Sequence, residues 1–187
     1  MRSPSPDADG HLDVSELRMT SKENRDENGY RVPSEAEVGG EVVSQLDEMW
    51  AEGWAPAWDG LFRADGRSRD ADVGGPAVED FTLGEPVDLD ELMADDPEMV
   101  TSVSVFAEAA LPDGSGHLCG GGGSLGSEGL LARFDADRRL VWLLHLSDSN
   151  EFVRISVDWP TAAFTNNLGN SIIIDLTTPD FAADRPG

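Results

Sequence analysis

The sequence predicts an α+β domain in which one main N-terminal helix packs on a largely antiparallel sheet of five or six strands. Three observations support this fold class. A run with helical periodicity lies in the first third of the chain, β-branched and aromatic residues alternate in short runs from Met99 onward, and turn-forming residues separate those runs. Because consecutive short strands usually pair as neighbours, the last third is predicted to be a β-meander.

The predicted domain lies between two polar ends. Residues 1–33 are rich in Asp, Ser, Asn and Pro, which favours a disordered or loosely docked tail. Residues 34–182 form the predicted domain, and residues 183–187 a flexible C-terminus. The domain opens on Ser34-Glu35-Ala36-Glu37, which has the form of a capping box.

The main helix is predicted from Val42 to Trp54. Apolar side chains recur there at helical spacing, and Pro56 ends the run because proline has no backbone N–H to donate. We expect the apolar stripe to pack on the domain core. The alternative is that Trp50 and Trp54 anchor a partner.

The segment that follows, residues 63–78, carries turn-forming residues throughout and is predicted to be a loop. The spacing of Asp65, Asp70 and Asp72 resembles part of a calcium loop. It lacks the glycine and the bidentate glutamate that such a loop needs, so pairing with nearby arginines explains these acids better.

The first hairpin of the meander is predicted from Gly129–Phe134 and Leu140–Leu146, joined by the turn Asp135-Ala136-Asp137-Arg138. Both faces of the second strand are apolar, which is typical of a central strand. A separate strand is expected to begin at Met99, where β-branched residues dominate.

A further strand is predicted at Phe152–Trp159, with Val153, Ile155, Val157 and Trp159 facing inward. Ala162–Thr165 and Ser171–Leu176 are expected to form a hairpin around an asparagine-rich loop. The buried row of its second strand is expected to be Ile172, Ile174 and Leu176.

The glycine-rich stretch His117–Phe134 matches two short motifs, G-x-G-x-x-G and G-x-S-x-G. A dinucleotide loop must lead into a helix, and a nucleophile elbow must lie between a strand and a helix. The residues after Gly126 indicate a strand instead, so we expect Gly120–Gly123 to be a flexible loop between strands. The alternative is a hydrolase in which Ser124 acts with His145 and an acid from the turn, Asp135 or Asp137.

Other catalytic signals are weak. Cys119 is the single cysteine and has no neighbouring base to lower its pKa, so an inert thiol is expected. The three histidines are too scattered to indicate a metal site. We therefore expect a protein that is not an enzyme and has no metal or cofactor.

The charge is strongly negative. The chain has 13 basic and 37 acidic residues, which gives a net charge of −24 and an isoelectric point near 4.1. Such a field repels nucleic acids and anionic membranes, so neither is expected as a partner. No apolar run is long enough to span a bilayer and no secretory signal is evident, so we expect a cytoplasmic protein.

The acids are concentrated in the middle of the chain, where residues 79–98 hold nine acids and no base. Within this segment Asp88 is suited to cap a short acidic helix that Pro97 closes. The charge itself has two explanations. It docks a basic partner, or it serves solubility in a salt-adapted protein of unknown role.

A local pattern resembles small acidic immunity proteins of bacterial toxin systems. It consists of Gly126-Ser127-Glu128-Gly129 before a strand, then Leu140-Val141-Trp142, Ser149-Asn150-Glu151-Phe152 and Asn166-Asn167. The resemblance covers about residues 115–176 and implies a non-catalytic inhibitor that blocks a toxin, without assigning binding residues. If the partner is a basic toxin domain, the expected docking residues are Asp88, Asp90, Glu91, Asp95, Asp96 and Glu98. The oligomeric state stays open.

Overall fold

The computed structural model describes residues 44–182. The predicted tail, the capping box at Ser34 and the predicted flexible C-terminus lie outside this range. The described elements are α1 (Gln45–Ala51), β1 (Trp54–Pro56), β2 (Gly60–Arg63), β3 (Ser68–Gly74), β4 (Glu79–Val87), α2 (Leu89–Asp95), β5 (Val100–Ser102), β6 (Ser104–Ala110), β7 (Gly116–Gly122), β8 (Gly129–Asp135), β9 (Leu140–Leu146), β10 (Phe152–Asp158), β11 (Thr161–Asn166) and β12 (Ser171–Asp175), with a 3₁₀ turn at Gly75–Ala77.

These strands form three antiparallel sheets. The main sheet has seven strands in the order β4-β3-β2-β9-β8-β7-β6, a second sheet has the order β10-β11-β12, and β1 pairs with β5 as a ribbon. The predicted α+β class with largely antiparallel pairing is confirmed. The predicted single sheet of five or six strands is wrong, because it missed strands in the first half of the described chain and placed the last strands in the main sheet.

The largest miss lies at residues 63–78, which the sequence predicted to be a loop. All of β3 lies in this range, hydrogen-bonded between β2 and β4, with Leu61 opposite Arg69 and Asp72 opposite Thr82. Two register shifts interrupt the pairing of β3 with β4. Turn-forming residues are tolerated at such bulges. Because residues 63–78 contain many of them, the sequence predicted a loop where pairing with β2 and β4 stabilises a strand.

The main sheet is covered on both faces. On one face, Trp142 and Leu144 pack against Phe164 of the three-stranded sheet. On the other, Leu143 packs in a cluster with Leu46 of α1. β9 is paired with β2 and β8 and buried on both faces, so the predicted hairpin and its central second strand are confirmed.

Helix α1 is shorter than predicted. Ser44 caps it, its hydroxyl accepting a hydrogen bond from the Asp47 N–H, and the chain leaves the helix at Gly53, where φ is +82°. A positive φ at glycine ends a helix at little cost. Trp54 consequently begins β1 instead of extending the helical stripe, whereas Trp50 packs edge-on against Phe134 with ring centroids 5.3 Å apart, as a core-facing residue should.

The inward face of β10 was also partly mispredicted. Its pairing with β11 shifts register between Phe152 and Arg154. Because a bulge reverses the alternation of side chains, Phe152 and Ile155 pack inward while Val153 is exposed. Trp159 is exposed as well, beyond the end of the strand. The buried row Ile172, Ile174 and Leu176 is confirmed.

Most of the glycine run Gly120–Gly123 lies within strand β7, so the prediction of a flexible loop there is wrong. Gly120, Gly121 and Gly122 lie in β7, paired between β6 and β8. A Cβ on Gly120 would stand 3.2 Å from the Phe152 carbonyl oxygen of β10. The glycines are needed there because backbone from neighbouring strands approaches too closely for side chains.

The segment after β12 is tied to the main sheet by three buried donors in one row. Arg63 Nη1 donates to the carbonyl oxygens of Pro179 and Asp180, at 3.2 and 2.7 Å. Trp142 Nε1 and Arg133 Nη1 both donate to the Phe181 carbonyl oxygen, at 3.0 and 3.1 Å. Because Trp142 pairs with Arg63 on one side and Arg133 on the other, β2, β9 and β8 together hold the C-terminal segment.

Candidate functional site

The nine acids of residues 79–98 lie on β4, around α2 and in the residues just after α2. β4 is an edge strand of the main sheet and leads directly into α2. The acids therefore lie on consecutive elements of the fold. Residues 88–98, which comprise α2 and its flanking residues, are called the α2 surface.

Helix α2 has an apolar face and an acidic face. Leu89 and Leu92, three residues apart, pack against the core cluster beneath the helix. Asp90, Glu91 and Asp95 are exposed on the helix. Partial burial of the two leucines fixes the orientation of the helix, so the three acids lie on its exposed face.

The six predicted docking residues are all on the α2 surface, although two of them have structural roles. Asp88 caps the helix, its Oδ1 accepting the Asp90 and Glu91 N–H groups at 3.1 and 3.3 Å. Asp96 Oδ1 accepts the Glu98 N–H at 3.3 Å. The exposed members are Asp90, Glu91, Asp95, Asp96 and Glu98.

The charge distribution along α2 strengthens its negative field. Asp95 lies in the last turn and Asp96 is the C-cap, where the helix dipole is itself negative, and the last turn carries no base. Carboxylates at this end repel each other and the dipole. An approaching cation relieves that repulsion.

Apolar side chains adjoin the acids. Met99 follows Glu98 directly and is exposed. β5 then pairs with β1, where Ala55 and Thr101 face inward and Trp54, opposite Ser102, is 43% exposed. Trp and Met are enriched in protein interfaces, so Met99 adds apolar area next to the acids and Trp54 adds it on the ribbon that follows.

Two arginines of the described residues do not reach the surface. Arg63 and Arg133 are buried and donate to backbone carbonyls of the C-terminal segment. Arg69, beside β4, donates to the Gly84 carbonyl oxygen and pairs with Asp180 at 3.1 Å. Arg63 and Arg133 therefore add no positive charge to the exposed surface, whereas Arg69 is partly exposed and paired with Asp180.

Ser124 has structural contacts. Its Oγ accepts the Ser102 N–H at 3.0 Å, and its own N–H donates to Thr101 Oγ1 at 2.7 Å. Thr101 Oγ1 in turn donates to the buried Glu128 carboxylate at 2.5 Å. This network joins β5 to the connection between β7 and β8. Within residues 44–182, none of the contacts of Ser124 is with His145.

His145 meets an acid that the sequence did not indicate. The imidazole is fully buried, with Nδ1 3.0 Å from the Trp58 carbonyl oxygen and 3.5 Å from Asp59 Oδ1. Asp135, a predicted partner, instead accepts the Asp137 N–H in its own turn. No local pattern could have paired His145 with Asp59, because β2 and β9 become neighbours only in the folded sheet.

Asp59, just before β2, contacts the turn after β9 through its carboxylate, which accepts hydrogen bonds from the backbone N–H and the hydroxyl of Ser147. Partial burial acts to raise the pKa of Asp59. The hydrogen bonds with His145 and Ser147 favour the ionised form more strongly and hold the pKa below its ordinary value of 3.8.

Cys119 is buried in β7. Burial, together with the nearby Glu108 carboxylate, raises the pKa of the Cys119 thiol to about 12. The thiol therefore stays protonated at neutral pH, which agrees with the expected inert cysteine.

Between residues 44 and 182, no three of His, Cys, Asp and Glu come together as metal ligands, and this includes the acids around Asp65. Asp65 pairs with Arg63 through both carboxylate oxygens. Neither of the helices in this range is long and apolar enough to cross a membrane.

Three segments of the pattern that resembles immunity proteins meet at one end of the fold. The Asn150 N–H donates to the Ser127 carbonyl oxygen at 2.8 Å, and Asn150 Nδ2 donates to Asn167 Oδ1 at 3.0 Å. Asn166 is buried and bonds the Pro76 and Ser149 carbonyl oxygens. These asparagines hold the loops together, so the asparagines of the pattern have a structural role.

Comparison with known proteins gave no match: no family model fits the sequence, and no curated protein or solved structure is significantly similar to it.

Proposed function

We propose that this chain is a non-catalytic acidic binding protein, an immunity-type inhibitor that docks a basic partner such as a toxin domain through the α2 surface. The observation that carries the proposal is the orientation of α2. Leu89 and Leu92 are packed inward, so five exposed acids between Asp90 and Glu98 share one surface.

Long-range attraction follows from this arrangement. Charges of one sign concentrated on a surface steer an oppositely charged partner and raise the rate of association, mainly within the screening length of about 8–10 Å. The exposed Met99, next to Glu98, supplies apolar area that a docked partner would remove from water, and Trp54 supplies more on the β1–β5 ribbon that follows. Charge then governs the encounter, and apolar burial governs how long the complex lasts.

The test compares two variants with the same change in charge. In the first, Asp90, Glu91, Asp95 and Asp96 become Asn or Gln. In the matched control, the exposed acids Asp72, Asp137, Asp148 and Asp158 become Asn. The partner is the product of the gene beside the one that encodes this chain.

At low salt we expect the first variant to associate with that product roughly tenfold more slowly than the control does. Stopped-flow or surface-binding kinetics measure the rates, and circular dichroism checks that both variants fold. Equal on-rates for the two variants would remove the α2 surface as the docking site. A neighbouring product that does not bind the unmodified chain would overturn the proposed function.

The alternative role is solubility in high salt, and the observation that favours it is the spread of exposed acids beyond α2, for example Asp72, Asp137 and Asp158. A surface of this kind predicts that the chain unfolds when salt is removed, because its carboxylates then repel each other unscreened. An immunity-type protein should keep its fold at low salt. Circular dichroism across a salt series separates the two.

A further inference from the structure

The two edges of the main sheet differ in their chemistry. β4 carries the acids Glu79, Asp80 and Glu85, contains Pro86, and pairs with β3 through register shifts. Charges, proline and bulges are the usual features that prevent an edge strand from pairing with another chain. β4 is therefore protected.

The opposite edge, β6, has little such protection. Its sequence SVFAEAA contains one charged residue, Glu108, and no proline. It pairs with β7 through one bulge, and within the described residues no strand pairs with its other side. β10 lies against β6 without forming a strand pair. An unpaired edge of this composition is a template for an added strand.

Exposed apolar side chains mark the same edge. Val105 is 42% exposed and Phe106 50% exposed, and Phe106 is the extra residue at the bulge, where the pairing with β7 shifts register between Val105 and Ala107. Trp54 faces solvent opposite Ser102, three residues before Val105. At about 3.3 Å per residue these side chains fall within one stretch of roughly 10–15 Å, which suits a short extended segment.

We infer that β6 receives an extended strand of a basic partner, which pairs with its free edge and lengthens the main sheet. The inference rests on the proposed function and adds the mode of docking. The acids of α2 precede β5 and β6 in the chain, and Asp113 follows them. The fitting strand is therefore apolar at its centre and carries Lys or Arg at its ends.

A second copy of this chain fits the edge less well. Each copy carries a net charge of −24, so two copies paired along β6 would bring their acidic surfaces together. A basic strand gains attraction from the same charges that repel a second copy.

The test uses the full chain and a synthetic peptide of alternating valine and threonine with lysines at both ends. A control peptide of the same charge replaces the valines with proline, which cannot donate backbone hydrogen bonds. Hydrogen exchange followed by NMR reports which amides the peptide protects. We expect protection within β6 from the first peptide, weakened by salt, and none from the control.

Two variants that leave the charge unchanged locate the site. Phe106→Ser should lower the affinity of the peptide roughly tenfold, since it removes one partly buried aromatic contact. Ile173→Ser makes a comparable change on the exposed side of β12 and should leave the affinity unchanged. Circular dichroism verifies that both variants fold.

The inference fails if β6 is not protected, if another edge is protected instead, or if Phe106→Ser binds the peptide as well as the unmodified chain does. It also fails if sedimentation without peptide finds a dimer with β6 already protected, since the occupant is then a second copy. The variant in which Asp90, Glu91, Asp95 and Asp96 are neutralised separates the proposed α2 docking site from the proposed strand site on β6. Protection of β6 combined with unchanged association of that variant would overturn the α2 site while leaving the strand site.

Discussion

Gly121 lies so close to the backbone of Ser104 that a Cβ on Gly121 would stand 2.0 Å from the Ser104 carbonyl oxygen. The obstacle is backbone of β6, which is hydrogen-bonded to β7, so it cannot rotate away as a side chain can. Packing between strands therefore requires glycine here, and the run in the sequence has no need of a ligand to explain it.

Gly121→Ala should destabilise the fold by about 2–3 kcal/mol, because β6 and β7 must separate to admit the methyl group. Gly126→Ala is the matched control, since a Cβ at Gly126 meets nothing within 4 Å, and its effect should stay within about 0.5 kcal/mol. Urea unfolding measures both free energies. A stable Gly121→Ala chain would mean that β6 and β7 are farther apart than described.

The hydrogen bond from Trp142 to the Phe181 carbonyl oxygen should contribute measurably to stability. Trp142→Phe keeps an aromatic ring but removes the donor and some buried volume, so we expect a loss of about 1–2 kcal/mol. Trp54→Phe, at an exposed position, should change the free energy of unfolding by less than about 0.5 kcal/mol. Equal effects at the two positions would contradict a structural role for the C-terminal segment.

Asp59 should make stability depend on acidic pH. Its folded pKa is depressed, so the unfolded chain binds the proton more tightly, and the contribution is present above the ordinary pKa of 3.8 and lost as the pH falls through the folded pKa. Asp59→Asn should flatten this part of the curve of unfolding free energy against pH. Asp72→Asn, which removes an exposed acid, should leave its slope closer to that of the unmodified chain.

Cys119 should resist alkylation in the folded protein. With a pKa of about 12 and a buried position, almost no thiolate is available near pH 8. Iodoacetamide should label the thiol at the rate at which the protein opens, and quickly in urea. Mass spectrometry follows the reaction, and rapid labelling of the native chain would place Cys119 at the surface.

The acidic α2 surface, which we propose as the docking site, could be predicted from the sequence because its residues are neighbours in the chain. Asp88 caps the helix as expected, and the acids stay together because a short helix and its flanks cannot disperse them. The exposure of Met99 and Trp54 could not be predicted from the sequence in the same way. Their exposure depends on the pairing of β1 with β5, two segments far apart in sequence.

The sequence by itself determined the elements whose own residues decide their conformation. The β8–β9 hairpin and the buried row of β12 follow from alternation between turn-forming residues, a pattern that each segment carries locally. The tertiary structure alone decided that β3 is a strand, that the glycine run lies within β7, and that Asp59 meets His145. Each of these depends on hydrogen bonds or close approach to a distant strand, and such contacts leave no periodic trace in the residues that make them.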